Sequence, residues 1–217
     1  KIGLNLERNY SINFDLPQRS KKLIKFIIIH YTGMKIESSA VRRLLNPKSR
    51  VSAHYFIKYD GTIINMVPEE YIAWHAGVSC WKNYKSLNKH SIGVEISNPG
   101  HKHGYRNFSH NQISSLSKLL KKFKEKYKIK KKNILGHSDI APFRKMDPGE
   151  KFPWKNLGKK KISFWYKINE EKVKIHRGKK LTNIEEELFL KNLYQFGYCK
   201  IKAKSINQNM SYLAKAF

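Results

Sequence analysis

The stretch Leu23-Ile-Lys-Phe-Ile-Ile-Ile-His-Tyr31 decides the architecture. Its residues are β-branched or aromatic, and the run is short and continuous, so it predicts a buried strand that Thr32 and Gly33 break. His30 lies at the C-terminal end of that strand. Working outward, Glu37–Leu45 reads as a short helix, opened by Ser38 or Ser39 and closed before Pro47. Ala53–Tyr59 and Thr62–Val67 flank Asp60-Gly61, a two-residue connection suited to a type I′ hairpin. From Pro68 to His90 the pattern is lost, and Trp74, His75, Gly77 and Trp81 fall in a long loop of the kind that carries function.

A second strand is predicted at Ser91–Ser97. Ser109 then caps a helix to about Tyr127, with Ile113, Leu116, Leu119, Leu120 and Phe123 on one face. Asn133–Gly136 reads as a short strand, followed by a loop broken by Pro142, Pro148 and Pro153. Strands alternate with helices, so the fold class is mixed α/β: a central mixed sheet flanked by helices. The predicted organisation is an N-terminal extension over 1–22, a main α/β domain over 23–157, a basic linker over 158–182 and a helical segment over 183–217. In that segment Asn183–Gln195 reads as an amphipathic helix with Leu188, Leu190, Leu193 and Tyr194, and about Ser205–Phe217 as a second one.

The 217 residues carry 44 Lys+Arg against 16 Asp+Glu, a formal charge of +28, with 40% hydrophobic and 12% aromatic residues. The apolar content excludes a disordered basic tail. The charge alone would fit nucleic acid, but Lys, Ile and Asn are abundant together along the whole chain, as a coding bias would produce. No helix-turn-helix, zinc-finger or RNP-like signature accompanies the charge, so nucleic acid is not expected as the main partner. The longest apolar run, Phe26–Ile29, is too short to cross a bilayer. Cys80 and Cys199 form no CxxC pair and suggest neither a metal knuckle nor a disulfide-rich scaffold. The chain begins at Lys1, so a removed leader or lipid-anchored segment is compatible with it.

The chemistry concentrates in Gly136-His137-Ser138-Asp139-Ile140-Ala141-Pro142-Phe143-Arg144-Lys145-Met146-Asp147-Pro148-Gly149. A histidine just after a strand and an aspartate ten positions on can converge on one point, and Zn²⁺ accepts imidazole nitrogen with carboxylate oxygen. His30, at the end of a neighbouring strand, is the candidate third ligand. Two His and one Asp leave a fourth position for water, as catalytic zinc sites do. On spacing alone His30 also fits hydrogen-bonded packing, and Asp147 before Pro148 fits a turn. Asp139 suits a supporting or loop role.

Phe26-Ile-Ile-Ile-His-Tyr-Thr32, Val51-Ser-Ala-His-Tyr-Phe-Ile57, Ala73-Trp-His-Ala-Gly77, Leu87-Asn-Lys-His-Ser-Ile-Gly-Val-Glu95, the 137–149 run and Phe152-Pro-Trp154 together resemble the zinc-dependent type 2 N-acetylmuramoyl-L-alanine amidases. Within that family the resemblance is to the AmiD and AmpD branch of Gram-negative bacteria, and it covers roughly residues 23–157. It implies the mixed-sheet fold shared with phage amidases and peptidoglycan-recognition proteins. It also implies His30, His137 and Asp147 as zinc ligands, Glu95 as general base and Lys145 as the group stabilising the reacting carbonyl oxygen.

Relatives that use a tyrosine just before the histidine of the second strand have it where this chain has Ala53, beside His54, which fits the branch relying on Glu95. Trp74, His75 and Asn88 match positions near the family's cleft, and Arg144 fits a basic rim that holds stem-peptide carboxylates or, equally, a solvated loop charge. The implied reaction is hydrolysis of the amide between N-acetylmuramic acid and L-alanine, in peptidoglycan or anhydro-muropeptides, by a monomer. The implied address is the periplasm or cell envelope, with the cytoplasm as the alternative. Phe189–Tyr198 and Leu213–Phe217 resemble the first portion of a three-helix peptidoglycan-binding module, and a generic helical cap fits them as well. A non-catalytic peptidoglycan-binding protein on the same fold is the rival reading.

Overall fold

The computed structural model describes residues 6–167, 169–200 and 206–217. In chain order the strands are β1 (Leu6–Arg8), β2 (Phe14–Asp15), β3 (Phe26–Tyr31), β4 (Tyr55–Ile57), β5 (Ile63–Asn65), β6 (Ile72–Ala73), β7 (Cys80–Trp81), β8 (Tyr84–Lys85), β9 (Ser91–Ile96) and β10 (Ile134–Gly136). The helices are α1 (Glu37–Leu45), α2 (His110–Tyr127), α3 (His137–Ile140), α4 (Trp154–Lys159), α5 (Glu170–His176), α6 (Asn183–Phe196) and α7 (Ile206–Ala216). Six strands form one mixed sheet in the order β1-β5-β4-β9-β3-β10. The β4–β5 pair is antiparallel and the other neighbours run parallel.

The unbroken apolar run of β3 follows from burial on both faces, because successive side chains of a strand point to opposite sides. Ile27 and Ile29 join Ile92, Val94 and Ile96 of β9 under Leu116, Leu119, Leu120 and Phe123 of α2. Phe26 and Ile28 face the other way, against Trp81, Leu87, Leu135, Leu190, Leu193 and Leu213. A smaller cluster packs Ala40 and Leu44 of α1 on Phe56, Ile64 and Met66. The α2 helix starts as its sequence predicts, with Ser109 and Gln112 forming a reciprocal capping box that satisfies two of the free amides of the first turn.

Several sequence expectations change in detail. The β4–β5 connection is a three-residue loop, Tyr59-Asp60-Gly61, closed by Gly61 N–H on the Lys58 carbonyl and Lys58 N–H on the Thr62 carbonyl. Gly61, at φ 91°, takes the left-handed bulge position of that hairpin class. The α1 helix begins at Glu37, with Ile36 at the cap position and no side-chain cap. Neither Ser38 nor Ser39 opens it. The 68–90 segment contains β6, β7 and β8, two-residue strands too short to show a period, paired as β2–β6 and β7–β8. The segment after β10 turns at once into α3.

Residues from Leu6 to Arg19 are woven into the body of the protein. β1 adds a parallel edge to β5, and the buried Arg19 guanidinium donates to the carbonyls of Glu69, Asn88 and Ser91. At the other end α6 carries a Thr182–Glu185 capping box and buries Leu190 and Leu193, whereas Leu188 is exposed. Cys80 of β7 and Cys199, just past α6, form a disulfide with Cα atoms 6.0 Å apart, a pairing their 119-residue separation does not signal. Among the described residues no helix is long and apolar enough to cross a membrane.

Candidate metal centre and active site

Strand register assembles the site. In the parallel pair β3–β9, Ile28 stands opposite Gly93 and His30 opposite Glu95. Ile27 and Ile29 take the α2 face, so alternation sends His30 to the opposite face. Ile92, Val94 and Ile96 likewise take the α2 face, which sends Glu95 to the same side as His30. On the other flank of β3, β10 runs parallel with Gly136 opposite Ile29. That register brings His137, the first residue of α3, beside the end of β3.

The loop carrying Asp147 then folds back, with Ser138 N–H donating to the Asp147 carbonyl at 2.9 Å. Three buried donor atoms meet there. His30 Nδ1 lies 2.9 Å from His137 Nδ1, and each is 3.1 Å from Asp147 Oδ2. Ligands about 2.0–2.1 Å from a tetrahedral zinc lie a little over 3 Å from one another, so the triangle has the size that such an ion needs.

The outward nitrogens are held by hydrogen bonds. His137 Nε2 donates to the Ala76 carbonyl at 3.1 Å, and His30 Nε2 faces His75 Nδ1 at 3.0 Å. Burial, then the neighbouring His137, lower the His30 pKa to about 4, which keeps this imidazole neutral at physiological pH. Asp147 stays ionised. Burial alone would raise its pKa, but the adjacent His137, and after it His30, outweigh that and hold it far below the usual carboxylate range.

Glu95 lines the same cleft, of about 710 Å³, together with Tyr31, Trp74, His101, Lys145 and Met146. Its Oε2 is buried without a hydrogen-bond partner among the described residues. Burial, then the negative Asp147, push its pKa up to about 8, against the opposing charge of Lys145. A carboxylate shifted in this direction holds a proton more readily near neutrality than an ordinary one, which is the property of a proton acceptor that must also donate.

The remaining predicted residues take distinct places. Trp74 lines the cleft and is tied by Nε1 to Asp15 at 2.7 Å. His75 is buried between His30 and Ser91. Asn88 stands behind the cleft wall, its Oδ1 accepting from the amides of His75 and Ala76. The Arg144 guanidinium donates to the Ala76 and Val78 carbonyls, so it clamps the 76–78 loop at the cleft edge. Asp139 accepts from Gly136 N–H at 2.7 Å and from the Tyr198 hydroxyl, which couples the C-terminal segment to the turn bearing His137. His54 accepts from Gly93 N–H through Nδ1. Sequence reading did not single out Ser91, Ser138 or Tyr198, since a lone hydroxyl in a strand, turn or tail carries no pattern.

The sequence profile of the N-acetylmuramoyl-L-alanine amidase family matches residues 19–150. The chain belongs to this amidase family. It is 35% identical over 187 residues to N-acetylmuramoyl-L-alanine amidase AmiD of Escherichia coli, covering 81% of this chain and 67% of that protein. It is 40% identical over 105 residues to the 1,6-anhydro-N-acetylmuramyl-L-alanine amidase AmpD of the same organism, covering 48% of this chain and 55% of AmpD. The structure of E. coli AmiD in complex with the substrate anhydro-N-acetylmuramic acid-L-Ala-D-gamma-Glu-L-Lys superposes with a TM-score of 0.79 at 31% identity, covering 94% of this chain and 82% of that one. The mixed sheet flanked by helices is thus the amidase fold, and the resemblance in the motifs extends through the tertiary structure.

Proposed function

We propose that this amidase hydrolyses the amide between the lactyl group of N-acetylmuramic acid, or its anhydro form, and L-alanine, with zinc held by His30, His137 and Asp147. The observation that carries the reading is the buried triangle of His30 Nδ1, His137 Nδ1 and Asp147 Oδ2 in one cleft with Glu95, whose buried Oε2 has no hydrogen-bond partner among the described residues. Zinc bound there would supply Lewis acidity, polarising the amide carbonyl and easing deprotonation of a water. Glu95 takes the proton of the attacking water and returns it to the departing alanine nitrogen as the C–N bond breaks, while the hydroxyl stays on the lactyl carbon. The Lys145 ammonium, in the same cleft, opposes the charge that develops on the carbonyl oxygen.

Muropeptide as substrate is supported by the bound ligand of the AmiD complex and by the cationic rim of Arg43, Lys102 and Lys145, suited to stem-peptide carboxylates. The Cys80–Cys199 disulfide supports an oxidising compartment, the periplasm or envelope.

The test is mass spectrometry of products from a defined anhydro-muropeptide, with metal analysis of the same preparation. Release of the intact peptide beginning at L-alanine, one zinc per chain, and loss of turnover in Glu95→Gln and Lys145→Ala with zinc retained are expected. For Lys145→Ala the loss expected is about 10²–10³-fold, the range for removing one oxyanion donor. A zinc-free preparation with full turnover, or unchanged rates in both variants, would refute the assignment. Zinc retention with binding of peptidoglycan but no cleavage would favour the non-catalytic rival.

A further inference from the structure

We propose that the consecutive residues His75 and Ala76 are positioning residues that hold both imidazole ligands with their Nδ1 lone pairs turned to the metal, and that Asn88 fixes this pair in place. The inference rests on the metal reading above and adds to it a second layer of residues with a defined direction of hydrogen bonding. His137 is settled by chemistry alone: a carbonyl can only accept, so Nε2 facing the Ala76 carbonyl at 3.1 Å carries a ring proton, and Nδ1, 3.1 Å from Asp147 Oδ2, is the nitrogen left for the metal. Arg144 passes 3.3 Å from the same nitrogen but has the Ala76 and Val78 carbonyls as acceptors.

His30 is settled by a chain of three contacts whose far end allows one direction. The Ser91 hydroxyl donates to the Leu87 carbonyl at 2.6 Å, which leaves its oxygen to accept. His75 Nε2 then donates to Ser91 Oγ at 3.2 Å, and a neutral His75 has an unprotonated Nδ1. That Nδ1 lies 3.0 Å from His30 Nε2, which must carry the proton, so His30 Nδ1 is free. A metal-bound histidine needs such an acceptor on its other nitrogen to fix ring orientation and tautomer. Here two neighbouring residues of one loop serve both ligands.

The loop is held accordingly. Asn88 Oδ1 accepts from His75 N–H at 3.1 Å and from Ala76 N–H at 2.7 Å. The His75 ring lies directly on Gly93 of β9, where any Cβ would overlap its Cγ, Cδ2 and Nδ1. His75 is 9% exposed, so its ring nitrogens are committed to His30 and Ser91 and are not offered to a substrate.

The experiment measures ring-nitrogen protonation by ¹⁵N NMR in the metal-free protein, and zinc affinity by competition with a chromophoric chelator. In the wild type both His30 and His137 should carry the proton on Nε2. His75→Phe keeps the ring volume and removes the acceptor, and should weaken zinc binding by about 10–100-fold. Asn88→Ala should weaken it in the same direction, and Asn88→Asp, which keeps the accepting oxygen, should restore it. An unprotonated Nε2 on His30 or His137 in the wild type would overturn the proposal. So would wild-type zinc affinity in both His75→Phe and Asn88→Ala, or a raised KM in His75→Phe with unchanged zinc affinity, which would make His75 a substrate contact. If the wild type binds no zinc the functional reading fails, whereas the tautomers of the metal-free protein still decide this one. If His75→Phe does not fold, the Asn88 pair and the wild-type spectrum decide it.

Discussion

Breaking the Cys80–Cys199 disulfide gives the sharpest quantitative test of how the C-terminal segment is held. The crosslink closes a separation of 119 residues, and the chain-entropy relation for a loop of that size gives about 5 kcal/mol of destabilisation of the unfolded chain at 25 °C, against typical measured values of about 2–4 kcal/mol. Taking about 3 kcal/mol, and about 2–4 °C of Tm per kcal/mol for a chain of this size, the melting temperature should fall by about 6–12 °C. The loss should be uneven along the chain. Beside the disulfide, Trp81 packs edge-on against Tyr198 and Phe196, and Leu190, Leu193 and Leu213 complete that cluster, so without the crosslink α6 and α7 can open from the sheet in a local step.

The assay is calorimetric melting of the oxidised protein, of the protein reduced with a non-thiol reductant, and of the Cys80→Ala/Cys199→Ala double variant, with hydrogen exchange followed in α6. Reduced protein and double variant should melt together, and α6 amides should exchange faster than those of α2. A double variant melting within about 2 °C of the oxidised protein, with α6 equally protected, would show that apolar packing alone holds the segment and would refute the crosslink argument.

Three further outcomes are expected. Glu69 accepts hydrogen bonds from Tyr55, Lys126 and Tyr127; burial alone would raise its pKa, but these bonds outweigh it and hold it below the usual glutamate value. The resulting stabilisation is complete above the unfolded-state pKa and fades as pH falls through the lower folded-state value. Urea melts should therefore show Glu69→Gln less stable by about 1–3 kcal/mol at pH 7, with the gap closing below about pH 4; a pH-independent gap would count against the ionised acceptor. Phe123→Ala, which opens a hole between α2 and the sheet, should cost about 3–5 kcal/mol in the same assay. Gly61→Ala should destabilise through its left-handed backbone and through a Cβ 2.8 Å from the Asn111 carbonyl oxygen, by more than the roughly 1 kcal/mol that the same exchange contributes in stability at an unstrained site; unchanged stability would contradict the bulge geometry.

Much of the site was legible in order along the chain. The β3 run announces a strand buried on both faces, and a histidine at its end is fixed by the alternation of side chains. The run from His137 to Gly149 gathers metal-ligating residue types in one turn. Local capping chemistry was equally legible at Ser109, where the hydroxyl and Gln112 are within one turn of each other. It misled at Ser38 and Ser39, because the Glu37 carboxylate is engaged by Tyr59 N–H from another hairpin, a partner no local rule can see.

The sequence by itself determined which residues are of metal-ligating or proton-transferring type and which segments have an apolar period, because donor type and side-chain spacing are local properties. Only the tertiary structure decided how they meet. The parallel register that sets His30 beside Glu95, the pairing of Cys80 with Cys199, and the loop that turns His75 and Ala76 towards the backs of the two imidazoles all depend on chain segments tens of residues apart. Their approach is driven by burying two faces of one sheet at once, a cooperative gain that no short window of sequence contains.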